Sequence, residues 1–149
     1  MRNVNELINS IVQISFDNLP VEERWERYEV IVITLRQYTE MKAHYILDDG
    51  EKLSFDPEYE GQVTREKNLR ELFMDLRKVM YDLSPQQGAW FSCKIEVYPS
   101  GKFNTSFNYD DEPNFTYAPN PKKFADDLKS FPRENSLVPT WLNDILNTK

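Results

Sequence analysis

Histidine and cysteine are scarce in this 149-residue sequence, and the scarcity excludes several kinds of chemistry. Cys93 is the single cysteine, which excludes an internal disulfide and is typical of a reducing compartment. His44 is the single histidine, so any Ser-His-Asp or Cys-His catalytic site would have to use it. One histidine and one cysteine also fall short of the ligands that a zinc site needs.

Long apolar runs and glycine motifs are missing as well. No stretch approaches the roughly 20 apolar residues of a membrane-spanning helix. The opening segment, MRNVNELINS, lacks the apolar core of a signal peptide. The glycines at 50, 61, 88 and 101 fall in predicted turns or loops, and none belongs to a phosphate-binding motif. We therefore expect a cytoplasmic protein with no membrane partner and no cofactor.

Acidic residues predominate among the charged ones. Asp and Glu number 25 against 18 Lys and Arg, which gives a net charge of −7. A chain this acidic repels phosphate backbones, so direct nucleic-acid binding is disfavoured. The same charge accelerates encounter with a basic partner. The alternative is that the charge only keeps the protein soluble.

Helical periodicity appears near the start and in the middle of the chain. Apolar residues three and four apart predict an N-terminal helix over 4–15 and a long central helix over 65–83. Asn120-Pro121 and Pro139 are typical of helix starts and predict two short C-terminal helices. No linker or repeat divides the sequence, so we expect one domain over residues 1–149.

The remaining segments predict strands. Residues 27–38 are apolar on both faces, as in a central strand, and residues 42–55 predict a hairpin with a two-residue Asp49-Gly50 turn. Pro99-Ser100-Gly101 predicts a second hairpin, between 90–98 and 102–110, with apolar residues on one face. These registers give the following pairs: Ile46 with Leu53, His44 with Phe55, Cys93 with Phe107, and Phe91 with Tyr109. The predicted class is α+β, a mostly antiparallel sheet of about four to five strands with the helices packed on one face.

Carboxylates are the remaining candidates for chemistry. The acids at 110–112 could bind Mg²⁺ and make the protein a carboxylate-dependent hydrolase. Neighbouring residues of an extended segment point to alternate sides, however, so these three do not converge on one ion. We expect His44 to be a hydrogen-bonded structural residue and Cys93 a buried, inert thiol. The sequence thus predicts no catalytic residue, no metal site and no enzymatic activity.

Two acidic surfaces are the candidate partner-binding sites, because both lie at turns or strand ends where partners bind. We call residues 48–60 the acidic turn and residues 110–117 the acidic loop. Aromatic residues beside charges are typical of interface hot spots. For residues 110–117, the alternative is a solvated segment whose aromatic residues belong to the core. The candidates are Asp48, Asp49, Glu51, Glu58 and Glu60 in the acidic turn, and Asp110, Asp111, Glu112, Phe115 and Tyr117 in the acidic loop.

Several short motifs follow one another in the second half of the chain. They are Trp90, Gly101-Lys102-Phe103, Asn108-Tyr109-Asp110-Asp111, Phe131-Pro132-Arg133 and Pro139-Thr140-Trp141-Leu142. In this order and spacing, the sequence from residue 88 onward resembles the YezG-like family of bacterial immunity proteins, or antitoxins. The first half resembles the family only in its order of elements.

The resemblance implies a small cytosolic α+β protein that neutralises a cognate toxin, often one that carries a nuclease domain. It supplies no catalytic, cofactor or toxin-contact residues. A nuclease is basic where it holds phosphate, so an acidic inhibitor could occupy that surface by charge mimicry. Binding elsewhere, with allosteric inhibition, remains an alternative. A regulatory module that binds some other protein through the same acidic surface is the rival hypothesis.

Overall fold

An antiparallel sheet of five strands forms the centre of the computed structural model, which describes residues 3–58 and 67–148. The strands lie in the order β3-β2-β1-β4-β5. Their bounds are β1 Trp25–Leu35, β2 Tyr38–Leu47, β3 Lys52–Ser54, β4 Ser92–Val97 and β5 Phe103–Asn108. The helices are α1 Val4–Asp17, α2 Leu69–Leu83, α3 Pro121–Ser130 and α4 Thr140–Leu146. The predicted α+β class and its order of elements are confirmed.

The central position predicted for β1 is confirmed, since it pairs with β2 on one side and β4 on the other. The predicted strand extended to residue 38, whereas Arg36 and Gln37 form a tight turn and Leu35 pairs with Tyr38 across it. Alternate residues of β1, Tyr28, Val30 and Val32, are buried in the main core, whereas Ile31 on the opposite face is only partly buried.

The register predicted for the β4–β5 hairpin is confirmed from Ser92 to Val97, including Cys93 opposite Phe107. Gly101 has φ +88°, the left-handed conformation that the three-residue loop requires. The predicted pair of Phe91 with Tyr109 is wrong. The N–H of Phe91 donates to the carbonyl of Asn108, which already pairs with Ser92, so two residues oppose one. Such a bulge reorients the extra residue, and Phe91 leaves the face on which Tyr109 packs.

The register predicted for the first hairpin is wrong by one residue. His44 lies opposite Ser54 and Tyr45 opposite Leu53. The loop contains three residues rather than two, because the N–H of Leu47 bonds to the carbonyl of Glu51 and Gly50 takes φ +92°. A shift of one residue moves side chains to the other face. His44 therefore lies away from Phe55, whose ring packs against Tyr28 and Tyr45.

The two longer helices pack on one face of the sheet around the main core. Asn3 caps α1, and α2 begins with a reciprocal capping box between Asn68 and Glu71. The apolar stripe of α2, Leu69, Leu72, Phe73 and Leu76, is buried with Trp90 and Cys93. The start predicted for this helix, at residues 65 and 66, lies outside the described residues. No helix of the described chain is long and apolar enough to cross a membrane.

The two short helices enclose a second, smaller core at the end of β1. Its buried members are Leu35, Phe91, Phe124 and Leu142. A buried ion pair joins the two cores. Arg77 of α2 donates both guanidinium ends to Asp127 of α3, at 2.6 and 2.9 Å, and its Nε–H to the carbonyl of Trp90. Asp127 also accepts the backbone N–H of Arg36, so the turn after β1 is fixed to α3.

Candidate partner-binding site

The two acidic surfaces lie at opposite ends of the sheet. The acidic turn follows β2, and Asp48 donates its backbone N–H to Arg24, just before β1 begins. The acidic loop follows β5 at the other end of β1, where Asn108 pairs with Ser92 and Ser92 with Ile33. The strand between them spans about 30 Å at 3.3 Å per residue. They are therefore two separate surfaces.

Arg133 and Trp141 fix the beginning of the acidic loop. The side chain of Arg133 is almost fully buried, and its guanidinium donates to the carbonyls of Ala89, Tyr109 and Leu137. It also pairs with the carboxylate of Asp110 at 3.1 Å. The indole N–H of Trp141 donates to the carbonyl of Asp110 at 2.7 Å. The side chain of Asp110 is thus partly engaged within the molecule.

The middle of the loop is closed by Asn108. Its amide side chain accepts the N–H of Asp111 and donates to the carbonyl of the same residue, both at 2.9 Å. Pro113 is buried. Asp111 and Glu112 lie between these two points and are exposed, and their carboxylates form no hydrogen bond or ion pair with the residues that the structure describes. The loop holds these two charges in solvent on a fixed backbone.

Glu40 of β2 fixes the end of the loop. Its carboxylate accepts the backbone N–H groups of Thr116 and Tyr117, at 2.8 and 2.9 Å, and the hydroxyl of Tyr38. Burial alone would raise the pKa of Glu40, but these hydrogen bonds outweigh it and hold the pKa at about 2. The carboxylate is consequently charged throughout the physiological range.

The aromatic candidates of the loop differ in exposure. Phe115 is half-buried in the second core, with its ring 5.6 Å from that of Tyr38 and 6.2 Å from that of Phe124. Tyr117 is 75% exposed. Tyr117 is therefore the exposed aromatic side chain of the loop, whereas Phe115 packs in the second core and supports the loop.

The acidic turn is less fixed by side chains. Asp48, Asp49 and Glu51 are exposed, and the carboxylate of Asp49 accepts the N–H of Glu51. Glu58 has a structural role, because its carboxylate accepts the N–H of Leu69 at 2.8 Å, at the start of α2. Glu60 lies outside the described residues.

Two further candidates for chemistry have structural roles. The ring Nε2 of His44 is 2.8 Å from the carboxylate of Glu29, and both residues are buried, so the predicted hydrogen-bonded histidine is confirmed. Burial lowers the pKa of His44, although Glu29 opposes this. Burial also raises the pKa of the Cys93 thiol. Among the described residues, no group of three His, Cys, Asp or Glu side chains converges as a metal site.

The residues that sequence reasoning missed are those that hold the loop. Arg133 and Trp141 belong to motifs that the sequence displayed, Phe131-Pro132-Arg133 and Pro139-Thr140-Trp141-Leu142, but nothing in their spacing gave them a partner. Glu40 had no signal, since it is one acid among many in a strand. The motifs at 131–133 and 139–142 meet the motif at 108–111 at the acidic loop, whereas Gly101-Lys102-Phe103 lies at the other end of β5.

A comparison with models of known protein families gives a match over most of the chain. The family model described as immunity protein YezG-like matches residues 5–136. The chain belongs to the YezG-like family of immunity proteins. The match covers both the sheet and the acidic loop of this YezG-like chain, and it includes the first half, where only the order of elements resembled the family. A search of curated proteins gives no match.

Proposed function

We propose that this YezG-like protein is a cytoplasmic, non-catalytic immunity protein that binds and neutralises a cognate toxin domain through the acidic loop. Membership of the family supports the immunity role. The observation that supports the surface is the fixed backbone of residues 109–117, which presents Asp111, Glu112 and the ring of Tyr117 to solvent.

The physical reason for preferring this surface is preorganisation. A loop that is already ordered loses little conformational entropy on binding, so more of the contact energy appears as affinity. Its charges belong to a chain of net charge −7 and would attract Lys and Arg side chains. A basic toxin domain, such as a nuclease with a phosphate-binding surface, has the matching charge. The acidic turn, at the other end of the sheet, is the second candidate surface.

A charge-removal experiment tests the acidic loop. The probe is the product of the gene immediately upstream, made inactive by substitution, and the measurement is its association rate with the purified protein. We expect Asp111→Asn with Glu112→Gln to slow association about tenfold at low salt, because steering depends on exposed charge. The difference from wild type should shrink as salt rises, since the Debye length at physiological ionic strength is about 8 Å.

The matched control is Asp48→Asn with Glu51→Gln, which removes one aspartate and one glutamate from the acidic turn. It changes the net charge equally but should leave the association rate nearly unaltered. If both double variants slow association equally, net charge alone is responsible. If only the control slows it, the acidic turn is the interface. Failure of the wild type to bind or protect would refute the immunity proposal itself.

A further inference from the structure

Among residues 3–58 and 67–148, no strand pairs with the outer edge of β5. Lys102 and Tyr98 form a hydrogen-bonded pair, and alternation from there directs the backbone groups of Asn104, Ser106 and Asn108 toward β4. The N–H and C=O groups of Phe103, Thr105 and Phe107 consequently face outward. Across residues 3–58 and 67–148, no backbone or side-chain hydrogen bond reaches them.

This edge lacks the features by which proteins block strand addition. Edge strands are normally protected by shortness, charge, proline or a bulge. At the other edge of the sheet, β3 has three residues, one of which is Lys52. By contrast, β5 has six residues, FNTSFN, with no charge and no proline. A strand of this kind is a template for pairing with another strand.

The sequence of β5 is complementary to itself. Around Thr105, the phenylalanines at 103 and 107 are equidistant, as are the small polar residues Asn104 and Ser106. An antiparallel pair of β5 strands centred on Thr105 would place each Phe103 opposite Phe107 of the second copy. Aromatic pairs directly across two strands stabilise a sheet, and the outward-facing groups of both strands would meet in register.

The charges also fit this arrangement. No charged residue lies in β5, so the pairing brings no carboxylates together across the strands. Lys102 is exposed, without a described side-chain contact, and in this register it lies opposite Asn108 of the second copy. Next along that copy is its acidic loop, with Asp110, Asp111 and Glu112. Two symmetric contacts between opposite charges would therefore flank the joined strands.

We propose that a second copy of this chain covers the β5 edge, with the two β5 strands antiparallel and Thr105 on the two-fold axis, forming one continuous sheet. A two-fold interface must be self-complementary, which this strand is. The pairing involves the chain alone and does not depend on the toxin.

A cysteine at the axis tests the register directly. Residues of a hydrogen-bonded pair lie about 5.5 Å apart at Cα, within the range that a disulfide bridges. Thr105→Cys should therefore form a disulfide-linked dimer under mild oxidation, seen on a non-reducing gel. Wild type is an internal control, because its Cys93 is buried. Ser54→Cys, on the opposite edge of the sheet, should give no disulfide-linked dimer under the same conditions.

A proline at the same position tests the hydrogen bonds. Thr105→Pro removes an outward N–H but no bond to β4, and edge strands tolerate proline. It should weaken the dimer at least tenfold in dissociation constant, since about 1.4 kcal/mol corresponds to tenfold, whereas Thr105→Val should dimerise as wild type does. Mass by light scattering over a range of concentrations gives the readout, and unfolding curves verify that both variants fold.

Wild type that stays monomeric at millimolar concentration, with Thr105→Cys no faster to cross-link than Ser54→Cys, would overturn the proposal. So would a dimer that Thr105→Pro leaves intact, because its interface must lie elsewhere. Hydrogen exchange of the Phe103, Thr105 and Phe107 amides that slows only on addition of the toxin domain would assign the edge to the toxin and equally overturn it.

Discussion

Single residues in this protein have roles that their chemical type does not reveal. Asp127 and Asp126 are adjacent in α3, yet Asp127 is 4% exposed and binds buried Arg77, while Asp126 pairs with the exposed Lys122. A buried ion pair is costly to break from one side, because the remaining charge has no solvent to replace its partner.

This difference gives a prediction at the residue scale. Asp127→Asn leaves Arg77 buried without a counter-charge and should lower the free energy of unfolding by about 3–5 kcal/mol. Urea denaturation measures it. Asp126→Asn, the matched control, removes only an exposed pair and should change stability by less than about 1 kcal/mol. Equal effects of the two substitutions would contradict the role assigned to the Arg77–Asp127 pair.

Hydrogen bonds to Glu40 connect β2 to the acidic loop. Thr116 and Tyr117 form the end of the acidic loop, and their backbone N–H groups donate to the carboxylate of Glu40 in β2. Among the described residues, Glu40 is the hydrogen-bond acceptor that attaches this end of the loop to the sheet. Because its pKa in the fold, about 2, lies below the ordinary 4.5, the charged carboxylate stabilises the fold above pH 4.5. That contribution is lost progressively as the pH falls through about 2.

Glu40→Gln should therefore remove part of the acid sensitivity of this protein. Wild type should be the more stable at neutral pH, and the difference in unfolding free energy should shrink between pH 4.5 and about 2. Denaturant unfolding across this pH range checks the sign. A difference that is constant with pH would mean that the carboxylate charge does not hold the loop. Glu26→Gln, at an exposed strand position, is the control.

At the scale of the whole molecule, Arg133 joins segments that are distant in sequence. Its guanidinium contacts residues 89, 109, 110 and 137, and its side chain packs against Gly88, where an added Cβ would lie 2.1 Å from Nε. Arg133→Lys keeps the charge but loses the planar fork of donors. Buried carbonyls left without donors should lower the free energy of unfolding by about 2–3 kcal/mol.

The same substitution should slow toxin association, because the acidic loop loses its first anchor. Arg70→Lys, on the exposed side of α2, is the matched control and should alter stability by less than about 0.5 kcal/mol. Arg133→Lys with unchanged stability would show that the loop is held by its other contacts, chiefly Trp141 and Asn108.

Local patterns in the sequence were sufficient for most elements. Alternating apolar residues and a glycine-containing loop predicted the β4–β5 register, and Asn-Pro predicted the start of α3. These features are determined by residues close in sequence, so the sequence reports them. The register of the first hairpin was missed because the local sequence around Asp49-Gly50 fits a two-residue loop as well as the three-residue loop that forms.

The sequence by itself determined the α+β fold, the acidic character and the resemblance to an immunity family. Only the tertiary structure decided that the acidic turn and acidic loop are separate, that Phe91 belongs to a second core, and that Arg133, Trp141 and Glu40 hold the loop. Periodicity reports which face of an element is buried, since neighbouring residues share that constraint. It does not report which distant carbonyl a buried guanidinium will reach, because that depends on how the elements pack.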